Sequence, residues 1–380
     1  MKSRLSLSIL LLLAALLPAN TAGASPKDDN VIIDDELRVY TISEKRGSIY
    51  QVKAESDTWY EALKKEGYAD AVTIYNENIS IDKASAPGAK PFYRSWESPD
   101  VFYNGAKLCL LHIPLAKGKK AKASFVQTYK APEHFCNIML TSSQYRKKHM
   151  KALVKVPAAL AGSIKVTPYK FTENITLSSE THPNGSVTYT VEATDLEPWR
   201  YESRAPEAST DSPQIIITGQ FADAPDLYRH FLRYLDTADV DSREITDIAG
   251  MLRAKASSDE ALIDSTAAWV RQNIRYLAVE HGEYAFRPAS AAEVIRSRAG
   301  DCKGSANLIK ALLRKNGLDG RLAWVGTKGD IAFDWDEVPA LCSGNHVIAA
   351  CLHRDSIIYL DGTTTWASPG YILPPYADDA

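Results

Sequence analysis

Two hydrophobic periods divide this chain, and the change between them near residue 222 constrains the fold more than any other feature. Before that point, β-branched and aromatic residues recur in short strand-like runs, as at residues 71–75 and 123–129. After it, apolar residues recur at every third or fourth position, as at Leu227, Phe231 and Leu235. A strand-rich region followed by a helix-rich region predicts an α+β protein with two domains.

The first region, residues 25–222, has the pattern of an antiparallel β-sandwich-like domain. Its strand-like runs are separated by turn signals at residues 86–88, 117–118 and 182–185. Short strands that alternate with turns in this way are typical of sandwiches. Within this region, residues 59–63 (Trp-Tyr-Glu-Ala-Leu) predict one short helix.

The second region, residues 223–380, combines predicted helices with a predicted sheet. One helix is expected over residues 261–274, because apolar residues follow one of its faces. Another is expected over residues 291–297, where Ser290 and Glu293 have the spacing of a capping box. Strand-like runs follow at residues 345–351 and 356–361.

A leader precedes both regions. Lys2 and Arg4 are followed by an apolar run over residues 5–17 and then by Ala22-Gly23-Ala24, a small-x-small cleavage pattern. We therefore expect a signal peptide at residues 1–24 rather than a retained anchor, with export to a bacterial periplasm or the medium. The run is shorter than the roughly 20 residues that cross a bilayer, so the mature chain is not expected to span a membrane.

Charge and ligand spacing argue against two classes of partner. Loss of the leader removes only Lys2 and Arg4, so the formal net charge changes from −3 to −5, which disfavours nucleic acid. No two cysteines or histidines have zinc-ligand spacing, and the acidic residues at 330–337 lack the EF-hand pattern. We expect neither a metal nor a cofactor.

The chain has five cysteines, an odd number for an exported protein. Cys109 and Cys136 are candidates for one disulfide, and Cys342 and Cys351 for another, which would leave Cys302 as a thiol. Spacing does not decide the pairing, and all four could equally be reduced residues of the core.

Cys302 is the first candidate for chemistry. The stripe formed by Leu308, Ile309 and Leu312 predicts a helix, and Asp301 is a suitable N-cap, so Cys302 falls in the first turn. The exposed N–H groups and the dipole of a helix N-terminus favour a thiolate there. The same N–H groups can donate to an oxyanion during acyl transfer.

His346 and Asp361 are candidates for the partners of that thiol. The runs at residues 345–351 and 356–361 are separated by a short polar turn, which predicts a hairpin. Pairing outward from the turn brings His346 within a residue or two of direct opposition to Asp361, on a shared face. A carboxylate in that place would hold the imidazole in the tautomer that accepts a thiol proton.

Taken in order, these motifs resemble the transglutaminase-like superfamily of papain-type cysteine enzymes. They are Gly300-Asp-Cys-Lys303, Asn345-His-Val347 and Leu360-Asp-Gly362, with Asn273-Ile-Arg-Tyr276 and Phe286-Arg-Pro-Ala-Ser290 upstream. The resemblance covers about residues 225–375. The first region resembles the β-rich domain of unknown function that precedes this core in many exported bacterial proteins.

The resemblance implies a papain-like core and a role for each site residue. Cys302 would be the nucleophile, His346 the base and Asp361 the orienting acid. Tyr276 and Asn345 are further candidates for the oxyanion hole or the cleft.

Two features depart from the family pattern. Gly304 and Gly344 stand where members often have an acidic and an aromatic residue, and we expect these changes at the rim of the site to affect substrate choice. Many members continue into a further β domain, whereas this chain stops nineteen residues after Asp361, and the sequence leaves open whether it is a truncated or fragmentary member.

The resulting hypothesis is a cysteine enzyme that forms a thioester with protein or peptide substrates. Water as acceptor would make it a hydrolase or protease, and a lysine amine would make it a crosslinker; we favour water, the default acceptor in an exported site. The alternative is a catalytically silent scaffold that binds protein or glycan. The sequence does not predict an oligomeric state.

Overall fold

The computed structural model describes residues 30–45, 48–96, 103, 105–131, 135–142, 144–199, 208–235, 242–279, 282–327, 333 and 336–363. The predicted signal peptide at residues 1–24 lies outside the described residues, as do residues 364–380. Within the described residues, no helix is both long and apolar enough to cross a membrane.

The β-rich region consists of strands and a few short helical turns. Within the described residues its elements are β1 (Val31–Lys45), β2 (Ser48–Ala62), β3 (Gly67–Tyr75), β4 (Ile79–Ser85), β5 (Phe92–Ser95), β6 (Lys107–Leu115), β7 (Lys120–Tyr129), β8 (Asn137–Met139), β9 (Lys147–Val156), β10 (Lys165–Tyr169), β11 (Ile175–Thr181), β12 (Val187–Leu196), the short helix α1 (Ala208–Asp211) and β13 (Gln214–Thr218). A 3₁₀ turn, Ala158–Leu160, precedes β10.

One large sheet organises this region. Its strand order is β11-β12-β9-β1-β2-β7-β4, and two three-stranded sheets, β3-β6-β5 and β10-β13-β8, pack against it through two apolar clusters. Residues alternate along each strand between the two faces, so one face of the large sheet supplies both clusters. The predicted sandwich-like arrangement is confirmed.

Two details of the β-rich region differ from expectation. Strands β1 and β9 pair in parallel, with Arg38 beside Ala152, because β9 is reached by a long crossover through the smaller sheets. The helix predicted over residues 59–63 is also wrong. Trp59 and Tyr60 lie within β2, where pairing with β1 on one side and β7 on the other overrides the local preference of so short a run.

The second region is built from helices and a small sheet. Its elements are α2 (Ala224–Leu235), α3 (Arg243–Lys255), α4 (Asp259–Asn273), β14 (Arg275–Tyr276), α5 (Ala291–Ser297), β15 (Ala299–Gly300), α6 (Cys302–Lys315), β16 (Asp319–Val325), β17 (His346–His353) and β18 (Ser356–Leu360). Short 3₁₀ turns lie at Gly282–Ala285 and Leu341–Ser343.

Helix α6 is the centre of this region. Helices α3, α4 and α5 pack around it on one side, and the antiparallel sheet β16-β17-β18 packs on the other. A Cβ atom at Gly320 would lie 2.9 Å from the carbonyl oxygen of Lys310, so only glycine lets β16 approach the helix so closely. The predicted helix-on-sheet core is confirmed.

The predicted helix over residues 291–297 is found with the predicted bounds. The Ser290 hydroxyl accepts a hydrogen bond from the N–H of Glu293 at 3.3 Å, as its capping role requires. The predicted domain boundary at residues 222/223 lies between the end of β13 and the start of α2.

Cys109, Cys136, Cys302 and Cys351 are buried thiols. The candidate bridge between Cys109 and Cys136 is therefore not formed, and the reduced alternative describes these residues. The side chain of Cys342 lies outside what the structure describes.

Candidate active site

Cys302 is the first residue of α6. Asp301 precedes it in an extended conformation, and its Oδ1 accepts a hydrogen bond from the N–H of Gly304 at 2.8 Å. This cap starts the helix at Cys302, so the thiol lies where helix N–H groups and the helix dipole converge. The predicted position of Cys302 in the first helical turn is confirmed.

A second interaction of Asp301 fixes the same turn. Its Oδ2 forms an ion pair with Nζ of Lys303, and both side chains are buried. One carboxylate thus binds both a backbone N–H and a buried ammonium group, which satisfies the charge that Lys303 brings into the core. Sequence reasoning identified Asp301 as a cap but missed this ion pair.

Two glycines let Val294 of α5 pack closely beside Cys302. A Cβ atom at Gly300 would lie 3.2 Å from a methyl group of Val294, and one at Gly304 would lie 3.1 Å from the other. Gly304 and Gly344, which the sequence predicts at the rim of the site, are both buried. Gly304 instead lets α5 pack against the first turn of α6.

His346 is the first residue of β17 and points toward Asp361. Ala349 pairs with Leu360, so Asp361, the next residue, lies diagonally across from His346 on the same face. The distance between Nε2 of His346 and Oδ2 of Asp361 is 3.4 Å. This is long for a hydrogen bond, but such contacts often tighten only when substrate is bound.

The carboxylate of Asp361 is held from the other side by Thr363. The backbone N–H of Thr363 donates to Oδ1 at 2.8 Å, and its hydroxyl donates to the same atom at 2.7 Å. These bonds leave Oδ2 to face the imidazole. Nothing in the spacing of the motif had singled out Thr363.

Two further contacts fix the backbone at Asp361. Nη1 of Arg271, on α4, donates to the carbonyl oxygen of Asp361 at 3.1 Å. A Cβ atom at Gly362 would lie 3.1 Å from Cβ of Ser305, one turn after Cys302 on α6. The acid is therefore positioned by the same helix that carries the thiol.

Electrostatics favour a charged histidine at this site. Burial lowers the pKa of His346, but the carboxylate of Asp361 and the neighbouring Cys302 thiol outweigh burial and raise it above its usual range. Burial raises the pKa of Asp361, but His346 and the two bonds from Thr363 outweigh burial, so the pKa lies below its ordinary value. The two side chains therefore favour an imidazolium–carboxylate pair in the folded protein.

Asn345 and Tyr276 occupy different places beside these residues. The Asn345 amide is bound to Thr327: Oδ1 accepts the backbone N–H at 3.0 Å, and Nδ2 donates to the hydroxyl at 2.6 Å. This clamp ties the start of β17 to the segment after β16. Tyr276 pairs in parallel with Gly300, two residues before Cys302, and its hydroxyl is buried.

The three candidate catalytic side chains are closed off from solvent. Cys302 is 0%, His346 1% and Asp361 6% exposed. Burial strengthens the electrostatic interaction between histidine and aspartate. It also means that an acyl group can reach Sγ only when the residues that cover the thiol move.

Comparison with known proteins places this region in a family. Residues 246–362 match the model of the transglutaminase-like superfamily, and the match includes Cys302, His346 and Asp361. These residues therefore form a transglutaminase-like domain. No protein with curated annotation matches the chain.

Solved structures that match the chain include two that are described as proteases. A Parabacteroides distasonis protein described as a "putative protease" is 14% identical, with a TM-score of 0.64 over 90% of this chain and 68% of that one. A Cytophaga hutchinsonii protein described as a "putative cysteine protease" is also 14% identical, with a TM-score of 0.26 over 83% and 77%. Only the first likeness is close enough to compare folds, and it covers both regions of this chain.

Proposed function

We propose that this chain is an exported cysteine acyl-transfer enzyme that cleaves peptide-type amides through a thioester. The observation that carries the proposal is that the buried imidazole of His346 contacts both Asp361 and the thiol of Cys302. These three residues come from a helix start, a strand start and a strand end, and each has the neighbour that its role requires. The transglutaminase-like match and the protease descriptions of similar structures agree with a cysteine hydrolase at family level.

The proposed reaction has two halves. Sγ of Cys302 attacks the amide carbonyl carbon while His346 takes the thiol proton, and the resulting oxyanion accepts hydrogen bonds from N–H groups at the start of α6. His346 then gives that proton to the leaving amine as the C–N bond breaks, which leaves a thioester. Water attacks the thioester, and the proton it loses to His346 returns to the departing thiol of Cys302.

The two nitrogen atoms of His346 divide the work in this scheme. Nε2 faces Asp361, so Nδ1 is the nitrogen that remains for the thiol. Asp361 keeps the ring in that orientation and stabilises the imidazolium that forms. Thr363 and Arg271 act through Asp361 as positioning residues.

Product analysis by mass spectrometry tests this function. The chain is incubated with a glutamine-containing peptide library, with and without a primary amine, beside a Cys302→Ala variant. We expect hydrolysis products that need Cys302, with water rather than the amine as the main acceptor. Amine adducts in place of hydrolysis products would overturn the preference for water, and products that are equal in both proteins would overturn the proposal.

Export is a separate part of the proposal and has its own test. The mature protein is recovered from the producing cells, and its N-terminus is sequenced. We expect it to begin at Ser25, since the cleavage pattern ends at Ala24. An intact Met1 in the recovered protein would contradict export by this leader.

One observation favours a second function, a catalytically silent scaffold that binds protein or glycan. The complete burial of Cys302 and His346 denies a substrate direct access to the thiol. A scaffold would keep these residues for packing and would show no thiol chemistry beyond that of an ordinary buried cysteine.

A further inference from the structure

A belt of polar side chains interrupts the interior of the β-rich region. Along β1 and β2, Glu36 lies beside Thr58 and Arg38 beside Ser56, and both pairs are on the face that supplies the apolar clusters. One cluster lies beyond Tyr40 and the other beyond Tyr60. A buried ion pair is weak evidence for stability, because an apolar replacement of similar volume often serves the fold as well.

The belt lines a cavity of about 190 Å³ where the large sheet meets the sheet β3-β6-β5 and strand β8. For comparison, a cavity of about 150 Å³ accommodates benzene. Space of this size suits a ligand of one ring or one amino acid. Aromatic side chains, including Tyr40, Tyr60 and Phe125, line it beside the polar belt.

The charges of the belt do not cancel. Nη2 of Arg38 donates to Glu36 at 3.0 Å, and Nζ of Lys147 donates to the same carboxylate at 2.7 Å. Two basic groups thus share one anion, and burial together with Arg38 lowers the pKa of Lys147 to about 8. Lys147 and Glu36 have side chains only 1% and 7% exposed, so solvent does little to screen the excess positive charge.

Two other acidic residues border the cavity, but their carboxylates are engaged at the surface. Asp70 pairs with His112 at 2.7 Å, and its side chain is 40% exposed. Glu55 pairs with Lys53 at 2.9 Å, and its side chain is 43% exposed. Neither carboxylate therefore balances the charge of Arg38 and Lys147 inside the cavity.

Polar groups that could receive a ligand are held in place. Nη1 of Arg38 donates to the carbonyl oxygen of Met139 at 2.8 Å, and with its bonds to Glu36 and Tyr40 the guanidinium still has N–H donors to offer. Thr141 also lines the cavity, and its hydroxyl is buried without a hydrogen-bond partner among the described residues. Such a group is costly unless something binds it.

We propose that this cavity binds a small organic carboxylate with an apolar body about the size of one ring. The carboxylate takes the place of the missing anion beside Arg38 and accepts a hydrogen bond from Thr141. The ring packs among Tyr40, Tyr60 and Phe125. This binding site is independent of Cys302 and gives the β-rich region a function of its own.

Calorimetric titration of the full chain with benzoate, beside its neutral analogue benzamide, tests the proposal. We expect benzoate to bind at least about tenfold more tightly, since hydrogen bonds to a charged group contribute more than neutral ones. Equal binding of the two probes would overturn the anionic class of ligand. Failure of benzoate to bind at any concentration up to its solubility, or binding of inorganic phosphate alone, would overturn the proposal.

Three variants locate the site. Arg38→Gln should weaken benzoate binding at least about tenfold. Lys151→Gln, which removes an equal charge from an exposed ion pair of β9 with Glu192, away from the cavity, should leave it unchanged. Thr141→Val keeps the shape of the side chain and should weaken binding a few-fold while the fold is retained; an unchanged affinity in both Arg38→Gln and Thr141→Val would overturn this location.

Arg38→Gln is checked for a native circular dichroism spectrum first, and the benzoate–benzamide comparison on the unaltered chain decides the question if that variant does not fold. Cys302→Ala should bind benzoate normally, so the result does not depend on the proposed catalytic function.

Discussion

The β-rich region and the transglutaminase-like domain each bury one cluster of charged side chains, and the two clusters differ in what holds them. In the first, Arg38 and Lys147 share Glu36 and lower its pKa to about 2, which keeps the carboxylate charged at neutral pH. In the second, the charge of Asp361 depends on a partner, His346, that gains and loses a proton during the proposed reaction. A fixed cluster suits the binding of a ligand, whereas a titrating one suits proton transfer.

The two clusters also differ in whether the sequence predicts them. The catalytic candidates stand in short motifs, because a helix cap and a hairpin depend on residues that are close together in the sequence. Glu36, Arg38 and Lys147 belong to strands that meet only through the parallel pairing of β1 with β9. Their meeting depends on tertiary structure, which no local pattern expresses.

The largest expected effect is at Asp361. Asp361→Ala should lower kcat/KM by roughly 10²–10⁴-fold, because His346 loses the group that orients it and stabilises its charge. Burial would then dominate, and the pKa of His346 should fall below its value in the unaltered protein, as NMR titration of the ring would show. Asp361→Asn should lose a similar amount, because the two bonds from Thr363 hold the amide oxygen and turn the NH2 group toward Nε2 of His346, which fixes the wrong tautomer. Equal activity in all three proteins would contradict the role of Asp361.

The next effect concerns stability in the β-rich region. Glu36→Gln leaves two buried cations without their anion and should lower the free energy of unfolding by about 3–5 kcal/mol. Glu55→Gln removes a carboxylate from an exposed ion pair on β2 and should cost less than about 1 kcal/mol. Urea titration measures both, and a similar small loss in the two variants would show that the buried cluster is not coupled as described.

Acid should weaken the fold through the same carboxylate. Burial raises the pKa of Glu36, but Arg38 and Lys147 outweigh burial and lower the pKa from 4.5 to about 2. A depressed pKa gives stability that is present above pH 4.5 and is lost as the pH falls toward 2. Between those values the unaltered chain should lose on the order of 3 kcal/mol that Glu36→Gln does not lose. Parallel stability–pH curves for the two proteins would contradict this.

The smallest expected effect is at Thr363. Thr363→Val removes one of the two bonds to Oδ1 of Asp361 and should lower kcat/KM about three- to tenfold, since a hydrogen bond to a charged group contributes about 1.5 kcal/mol or more. Thr363→Ser keeps the hydroxyl and should retain most of the activity. If both variants behave alike, the backbone N–H alone positions the carboxylate.

Local features of this fold could be predicted from the sequence, whereas features that depend on tertiary contacts could not. The helix at residues 291–297 and the cap at Asp301 were predictable, because capping residues act on the turn that follows them. The helix expected at residues 59–63 failed because pairing on both edges of β2 decides the structure there. The close contact of Gly304 with Val294 was not predicted, because it involves another helix.

The candidate site shows the same limit. Cys302, His346 and Asp361 were found from local motifs, and the diagonal placement of the last two follows from the length of the hairpin turn. Thr363 and Arg271 were missed because their bonds to Asp361 depend on the path of the chain after β18 and on the packing of α4. No sequence pattern marks positioning residues of this kind.

The most direct test of the central claim is the rate at which iodoacetamide labels Cys302 near neutral pH, in the unaltered chain and in His346→Gln. Peptide mapping by mass spectrometry separates Cys302 from the other four cysteines. If His346 and Cys302 form a thiolate–imidazolium pair, the unaltered chain should be labelled at least about tenfold faster than the variant. Equal rates in the two proteins would mean that the imidazole does not activate the thiol, and the scaffold function would then replace the enzymatic one.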